Sequence, residues 1–255
     1  MSEVKVKAPS KNQVNKVLEI AVEIVVFPML ICSLASLFRV CEEPNFLTEL
    51  TFISIALYEA ISLYINGFIN NLSSKLTNEP IFKRVWLGKH LHYLIIAIAI
   101  RAARVQSILF YLDYVLISFV RAMKVIKKEI GPRVGDLKSS VDSIADPIIK
   151  SVYIQRANAI LEILLCPYLF FYGLFTFRGM ILLAFLIDFF FFILFGIATD
   201  KDHDWVYHQI GHLLRKLASK NESVGKNIIK AIEAISKVEG FAKQMYPMGL
   251  LKQKQ

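Results

Sequence analysis

Apolar residues run almost unbroken from residue 157 to 197, reading ANAILEILLCPYLFFYGLFTFRGMILLAFLIDFFFFILFGI, with one polar break at Thr176-Phe177-Arg178-Gly179. Only Glu162, Arg178 and Asp188 carry formal charge along it. Each half is about 18–20 residues, roughly what a helix needs to cross a ~30 Å hydrocarbon core. The break is short enough to fold the second helix back beside the first. The pattern predicts a membrane hairpin at 157–197, with lipid as the solvent for the rest of the chain.

Two earlier hairpins follow from the same pattern. The first spans 17–72. It has an apolar run at 17–38 containing Pro28, a turn at 39–45 and a second run at 46–72 carrying Glu49 and Glu59. Pro28 should kink its helix. Glu19 and Glu23 are expected at headgroup level. The second hairpin, 85–123, opens on a short run broken by Gly88, Lys89, His90 and His92. Arg101 and Arg104 precede a run that carries Asp113. So short a stretch predicts a shallow or re-entrant pair, its arginines snorkelling to an interface. The segment 124–156, rich in lysine and arginine and broken by Gly131, Pro132 and Gly135, reads as a cytosolic loop with one short helix around 136–150.

The expected architecture is therefore an all-α integral membrane protein. It has a basic arm at 1–16, a membrane domain at 17–197 with about six apolar helices as three hairpins, and cytosolic amphipathic helices in 198–255. The tail carries the clearest periodicity. Val224, Ile228, Ile232, Ile235 and Phe241 belong to an apolar stripe over 222–245, and Lys226, Lys230 and Lys237 recur on the other side. A helix of that kind lies in the headgroup plane of an anionic membrane, or packs on a neighbour. The stretch 205–217 offers such a neighbour, with Val206, Ile210, Leu213, Leu214 and Leu217 on one face.

Composition agrees with lipid. Hydrophobic residues make up 55% of the 255 and the mean hydropathy is +0.50. The net charge of +9 then points to loops facing anionic lipid rather than nucleic acid. Lysine concentrates in the N-terminal arm, 73–90, 121–156 and 198–255, which places both termini in the cytosol. The first run reads as a retained anchor, because no small-residue cleavage site follows it. Three cysteines without a CxxC support neither a disulfide framework nor a zinc site.

Catalytic signatures are sparse. The sequence holds no GxSxG, P-loop or GxGxxG. His208 and His212 are one turn apart near His203 and Asp204, but Gln209 breaks any HExxH, so an ordinary polar face is expected there. No catalytic residue, metal ligand or cofactor is assigned. Glu59, Asp113, Glu162 and Asp188 are intramembrane acids and so suspects for function. Asp188 is expected to hydrogen-bond across its hairpin or to a neighbouring helix. A small transporter or membrane enzyme would gather all of these acids on one cavity.

The order of features also carries a resemblance. Leu91-His92-Tyr93-Leu94-Ile95 opens an apolar run. A helix with a basic end, VLISFVRAMKVIKK, follows. Then come Asn158-Ala159-Ile160-Leu161-Glu162-Ile163, Cys166-Pro167, a further hairpin and amphipathic helices. Over residues 20–220 this resembles the transmembrane protein 33 family, which includes fungal pore-membrane proteins. The resemblance implies a non-enzymatic protein of the endoplasmic reticulum membrane and nuclear envelope. It implies work with reticulon-like membrane shapers, a role in nuclear pore distribution, and contact with nucleoporins or an import receptor. The charged turn at Arg101 and Arg104 and the lysine-rich last helix depart from the family.

Asn71-Leu72-Ser73 and Asn221-Glu222-Ser223 match the glycosylation sequon. Both fall on the cytosolic side of this topology, so neither should carry glycan. A gel shift on glycosidase treatment that maps to either asparagine would overturn the orientation.

Overall fold

A computed structural model describes residues 11–40, 45–65, 89–133, 138–220 and 222–245. Most of the arm at 1–16, the turn at 41–44, the stretch 66–88 with Trp86 and Asn71, Gly135, Asn221 and residues 246–255 fall outside it. Every element among the described residues is a helix, with no strand among them. In chain order the helices are α1 (Lys11–Phe38), α2 (Phe46–Tyr64), α3 (Lys89–Ala103), α4 (Ile108–Val125), α5 (Lys138–Ile149), α6 (Val152–Thr176), α7 (Gly179–Asp188), α8 (Lys201–Ala218) and α9 (Glu222–Met245). α7 runs on through a π-helical stretch, Phe189–Phe195, and a last turn, Gly196–Thr199.

Local chemistry sets the boundaries. The Asn45 side chain accepts from the amides of Leu47 and Thr48, and Thr48 Oγ1 accepts from the Asn45 amide, so α2 opens on a reciprocal cap. Ser107 and Ser151 cap α4 and α6 more simply, each hydroxyl accepting from one backbone amide, that of Phe110 and of Ile154. Arg104 and Phe177 adopt the left-handed conformation, φ 52° and 50°, at the turns that close α3 and α6. Pro28 and Pro167 sit inside α1 and α6, which continue past them. The region expected to be a loop, 124–156, is mostly helical. α4 is extended by the π turn Ile126–Ile130 and the short helix Gly131–Arg133, α5 lies where the short helix was expected, and α6 begins before its apolar run.

Among the described residues, four helical stretches are long and apolar enough to cross a membrane: Asn15–Phe38, Phe46–Tyr64, Val152–Thr176 and Gly179–Ala198. The sequence pattern leads one to expect six. α3, with 15 residues, rises only about 22 Å, and α4 ends on Arg121 and Lys124. Six helices pack side by side in the cyclic order α1, α2, α3, α7, α6, α4. α3 and α4 follow one another in sequence but pack mainly on other helices, α3 on α2 and α7 and α4 on α1 and α6. They meet across the middle of the ring, where the Tyr114 hydroxyl donates to the Tyr93 carbonyl at 3.1 Å and the rings lie 6.1 Å apart. Phe110, Tyr111, Ile55, Ile96, Ile100, Leu169 and Ile181 fill the rest of that core.

The outward faces are apolar as well. Ile24 and Ile31 of α1, Ile53 of α2, Phe171 and Phe175 of α6 and Leu183 and Leu186 of α7 are exposed. An apolar belt of that extent suits lipid and not water, which is the pattern of a membrane protein. Small polar groups join the inner faces, as where Ser36 Oγ and Thr51 Oγ1 share a hydrogen bond of 2.8 Å between α1 and α2. Arg101 does not snorkel alone. It grips Glu49 of α2 in two contacts, Nη2–Oε1 at 2.5 Å and Nε–Oε2 at 2.7 Å. Glu23 pairs with Lys128 at the far end of α4, as a carboxylate at headgroup level would.

Gly173 fixes the approach of α6 to α7. A Cβ there would lie 2.7 Å from Leu182 Cδ2 and 3.3 Å from the Leu182 amide nitrogen. Gly173→Val should therefore destabilise the detergent-solubilised protein by about 1–3 kcal/mol, read as a lower Tm. Gly179→Ala, which meets nothing within 4 Å, should leave the Tm unchanged.

Candidate functional site

A cavity of about 580 Å³ opens where helix ends gather on the side of the basic segments. α3 contributes its first residues, Lys89, His90 and Tyr93. α4 contributes Leu116, Ile117, Val120, Arg121 and Lys124, and α6 contributes Ile154, Gln155, Asn158, Ala159 and Glu162. Ile149 of α5 and the start of α8, Asp200 to His203, complete the wall.

Glu162 is the deepest charged group in that wall, 2% exposed. Its Oε1 accepts from the Tyr93 hydroxyl at 2.5 Å and from Asn158 Nδ2 at 2.7 Å. Its Oε2 lies 2.6 Å from His203 Nε2. Spacing on α6 explains the Asn158 contact, since residues four apart share a helix face. His203 arrives because Asp200 caps α8, its Oδ1 accepting from the Asp202 amide at 2.8 Å. The same Asp200 carboxylate pairs with Lys89 and lies 3.7 Å from His203 Nδ1. The imidazole also needs Gly196, where a Cβ would come within 2.7 Å of His203 Cδ2.

A second cluster stands behind the wall. Glu59 is fully buried, with Oε2 2.6 Å from His90 Nδ1 and Oε1 2.8 Å from Arg121 Nη1. The Arg121 guanidinium stacks 4.3 Å above the Tyr58 ring. At the rim, Arg156 lies 3.9 Å over Trp205, with Nε 3.8 Å from Asp202 Oδ1.

The four intramembrane acids divide into pairs. Glu162 lines the cavity and Glu59 anchors two of its lining residues. Asp113 and Asp188 are buried in the interior without reaching the cavity, and the charge of Glu162 bears on both. The hydrogen bond expected for Asp188 is not formed. Neither of its carboxylate oxygens has a hydrogen-bond partner among the described residues. Lys89, His90, Tyr93, Arg121 and His203 are the members that sequence reading missed. Only the Asn158/Glu162 and Asp200/His203 spacings signal them, because the remaining contacts join separate helices.

The tail helix α9 packs along α8 and onto the end of α7. Val238 reaches the cluster formed by Ile193, Ile197, Val206 and Tyr207. Ile228 and Ile232 are half-buried, while Lys226, Lys230 and Lys237 are exposed. The stripe inferred from sequence does not all turn inward, since Phe241 is 53% exposed, and Ile229, which lies outside that stripe, is 50% exposed. The side chains of Val224 and Ile235 lie outside the description. The single face expected on α8 also divides, with Val206 buried and Leu213 and Leu217 exposed. His208, not His212, approaches acids. Its Nε2 lies 3.7 Å from Asp204 Oδ1 and 3.7 Å from Glu239 Oε1 of α9.

Comparison of the chain with family models, curated proteins and solved structures gives no match.

Burial pulls the His203 imidazole pKa down, but the Glu162 and Asp200 carboxylates beside it outweigh that and raise it to about 9. Burial likewise pushes the Asp200 carboxyl up, yet His203 and Lys89 hold it below the usual carboxylate range. A histidine raised on folding stabilises fully below its unfolded value, near 6.5, and that contribution is lost as pH rises through the folded value. The unfolding free energy in detergent should thus fall between pH 6.5 and 9 by on the order of 3 kcal/mol, read as a falling Tm. Glu162→Gln should flatten this slope, and an unchanged slope in that variant would show that another group sets it.

Proposed function

We propose that this protein is a non-enzymatic membrane-shaping scaffold of the endoplasmic reticulum and nuclear envelope. The observation that carries the reading is α9. It is docked on the bundle by Val238, yet it presents Ile229 and Phe241 beside the exposed lysines Lys226, Lys230 and Lys237. A docked helix of that kind inserts shallowly into an anionic leaflet and widens it relative to the other. The short α3 adds to the asymmetry, since a segment shorter than the hydrocarbon core thins the bilayer or stays on one side of it. In this proposal the six apolar helices form three hairpins, and both termini and the cavity face the cytosol. The resemblance to the transmembrane protein 33 family supplies the compartment and the class of partner, reticulon-like proteins, nucleoporins and an import receptor.

A second reading has its own observation. Glu162 lines one cavity with His90, Arg121 and His203, and Glu59 holds two of these from behind, as a small transporter or membrane enzyme would arrange them. Glu59, Asp113 and Asp188 lie outside its lining, which favours the scaffold.

Full-length protein reconstituted at high protein-to-lipid ratio should draw vesicles containing anionic lipid into tubules. Ile229→Asp/Phe241→Asp should cut tubulation several-fold with an unchanged Tm. Vesicles that stay spherical with the native protein would count against shaping.

A further inference from the structure

We infer that the polar cavity seats the phosphate-bearing headgroup of an anionic phospholipid, drawn from the leaflet that the basic segments face. This rests on the membrane placement of the bundle and not on shaping activity.

Depth is the first argument. Lys89 is the first residue of α3, Lys124 is in the last turn of α4, and Lys201 is the first residue of α8. A cavity framed by helix ends beside apolar outer faces lies at headgroup level rather than in the middle of the hydrocarbon. Charge is the second. Six basic side chains line it against three acidic ones, Glu162, Asp200 and Asp202, and Glu59 behind the wall pairs with two of the six, His90 and Arg121. Glu162 and Asp200 are engaged by His203 and Lys89, and Asp202 lies near Arg156. Lys124 and Lys201 are exposed and form no ion pair among the described residues, so they remain for an incoming anion.

Shape is the third. The α4 side of the cavity is apolar, through Leu116, Ile117 and Val120, with Ile149 and Ile154 beside it. A purely polar anion would leave that wall wet, whereas a lipid places its glycerol and first methylenes there. The volume, about 580 Å³, suits a headgroup with its glycerol. The floor is built, because Glu162 and His203 are both more than nine-tenths buried and fixed to one another. Basic pockets between membrane helices are recurrent seats for anionic headgroups.

Full-length protein in mixed micelles of dioleoyl phosphatidylcholine and dioleoyl phosphatidic acid, read by native mass spectrometry, tests the assignment. The phosphatidic acid should remain bound at least tenfold in excess over its share of the mixture. Lys124→Glu/Lys201→Glu should abolish that preference, and Ile117→Trp, which fills the apolar side, should reduce it, each with a Tm near that of the native protein. Equal retention of the two lipids would overturn the inference. Displacement of the lipid by millimolar glycerol 3-phosphate would do so too, since the site would then read the phosphate ester alone. A protein that tubulates vesicles without headgroup preference would lose this inference and keep the scaffold reading.

Discussion

A carboxylate inside a bundle wrapped by lipid has no water to turn to, and this governs the arrangement of the helices. Glu162 and Glu59 are both withdrawn from solvent, and each is met by groups from other helices. Glu162 draws Tyr93 of α3 and His203 of α8 to α6. Glu59 draws His90 of α3 and Arg121 of α4 to α2. Replacing such a pair with apolar residues can be neutral, but removing one partner costs about 3–5 kcal/mol, because the other charge is then stranded. The clusters therefore act less as glue than as a register, since sliding α2, α3, α4, α6 or α8 out of this alignment would strand Glu59 or Glu162.

That register explains which parts of the structure were legible in the sequence. Helix existence followed from local signals: the apolar runs at 17–38 and 157–197 and the short helix expected around 136–150. The cavity depends on partners that are remote in sequence. Glu162 and His203 are brought together only by the reversal at Phe177, the π stretch in α7 and the turn at Asp200, none of which leaves a periodic trace. The interruption at Lys89 and His90 was visible as a defect in an apolar run, but its purpose appears only once Glu59 and Asp200 stand beside it. Periodicity misjudged the amphipathic helices for a related reason. It assigns one face to a helix, whereas α8 and α9 each divide their apolar residues between the bundle and the exterior.

The cavity and the tail occupy the same end of the molecule. The Asp200 cap that delivers His203 to Glu162 also starts α8, and α8 carries α9 against the end of α7. The polar cluster in the bundle and the presentation of α9 are thus mechanically joined through one short helix start. Whatever alters the ionisation of His203 acts on the base from which the tail is hung.

The π stretch at Phe189–Phe195 sets a limit on how this sequence can vary. A π segment holds one residue more than the α-helix would over the same span. Deleting a single phenylalanine from it would restore ordinary helical winding over the same span and would leave Gly196 and Asp200 close to their places, whereas losing a second would turn everything beyond it by roughly 100°. Gly196 would then no longer lie under the imidazole, and Asp200 would start α8 in a direction away from Lys89. In this segment descent has one residue of slack: substitutions among large apolar side chains and a one-codon loss are open to it, and a two-codon loss is not.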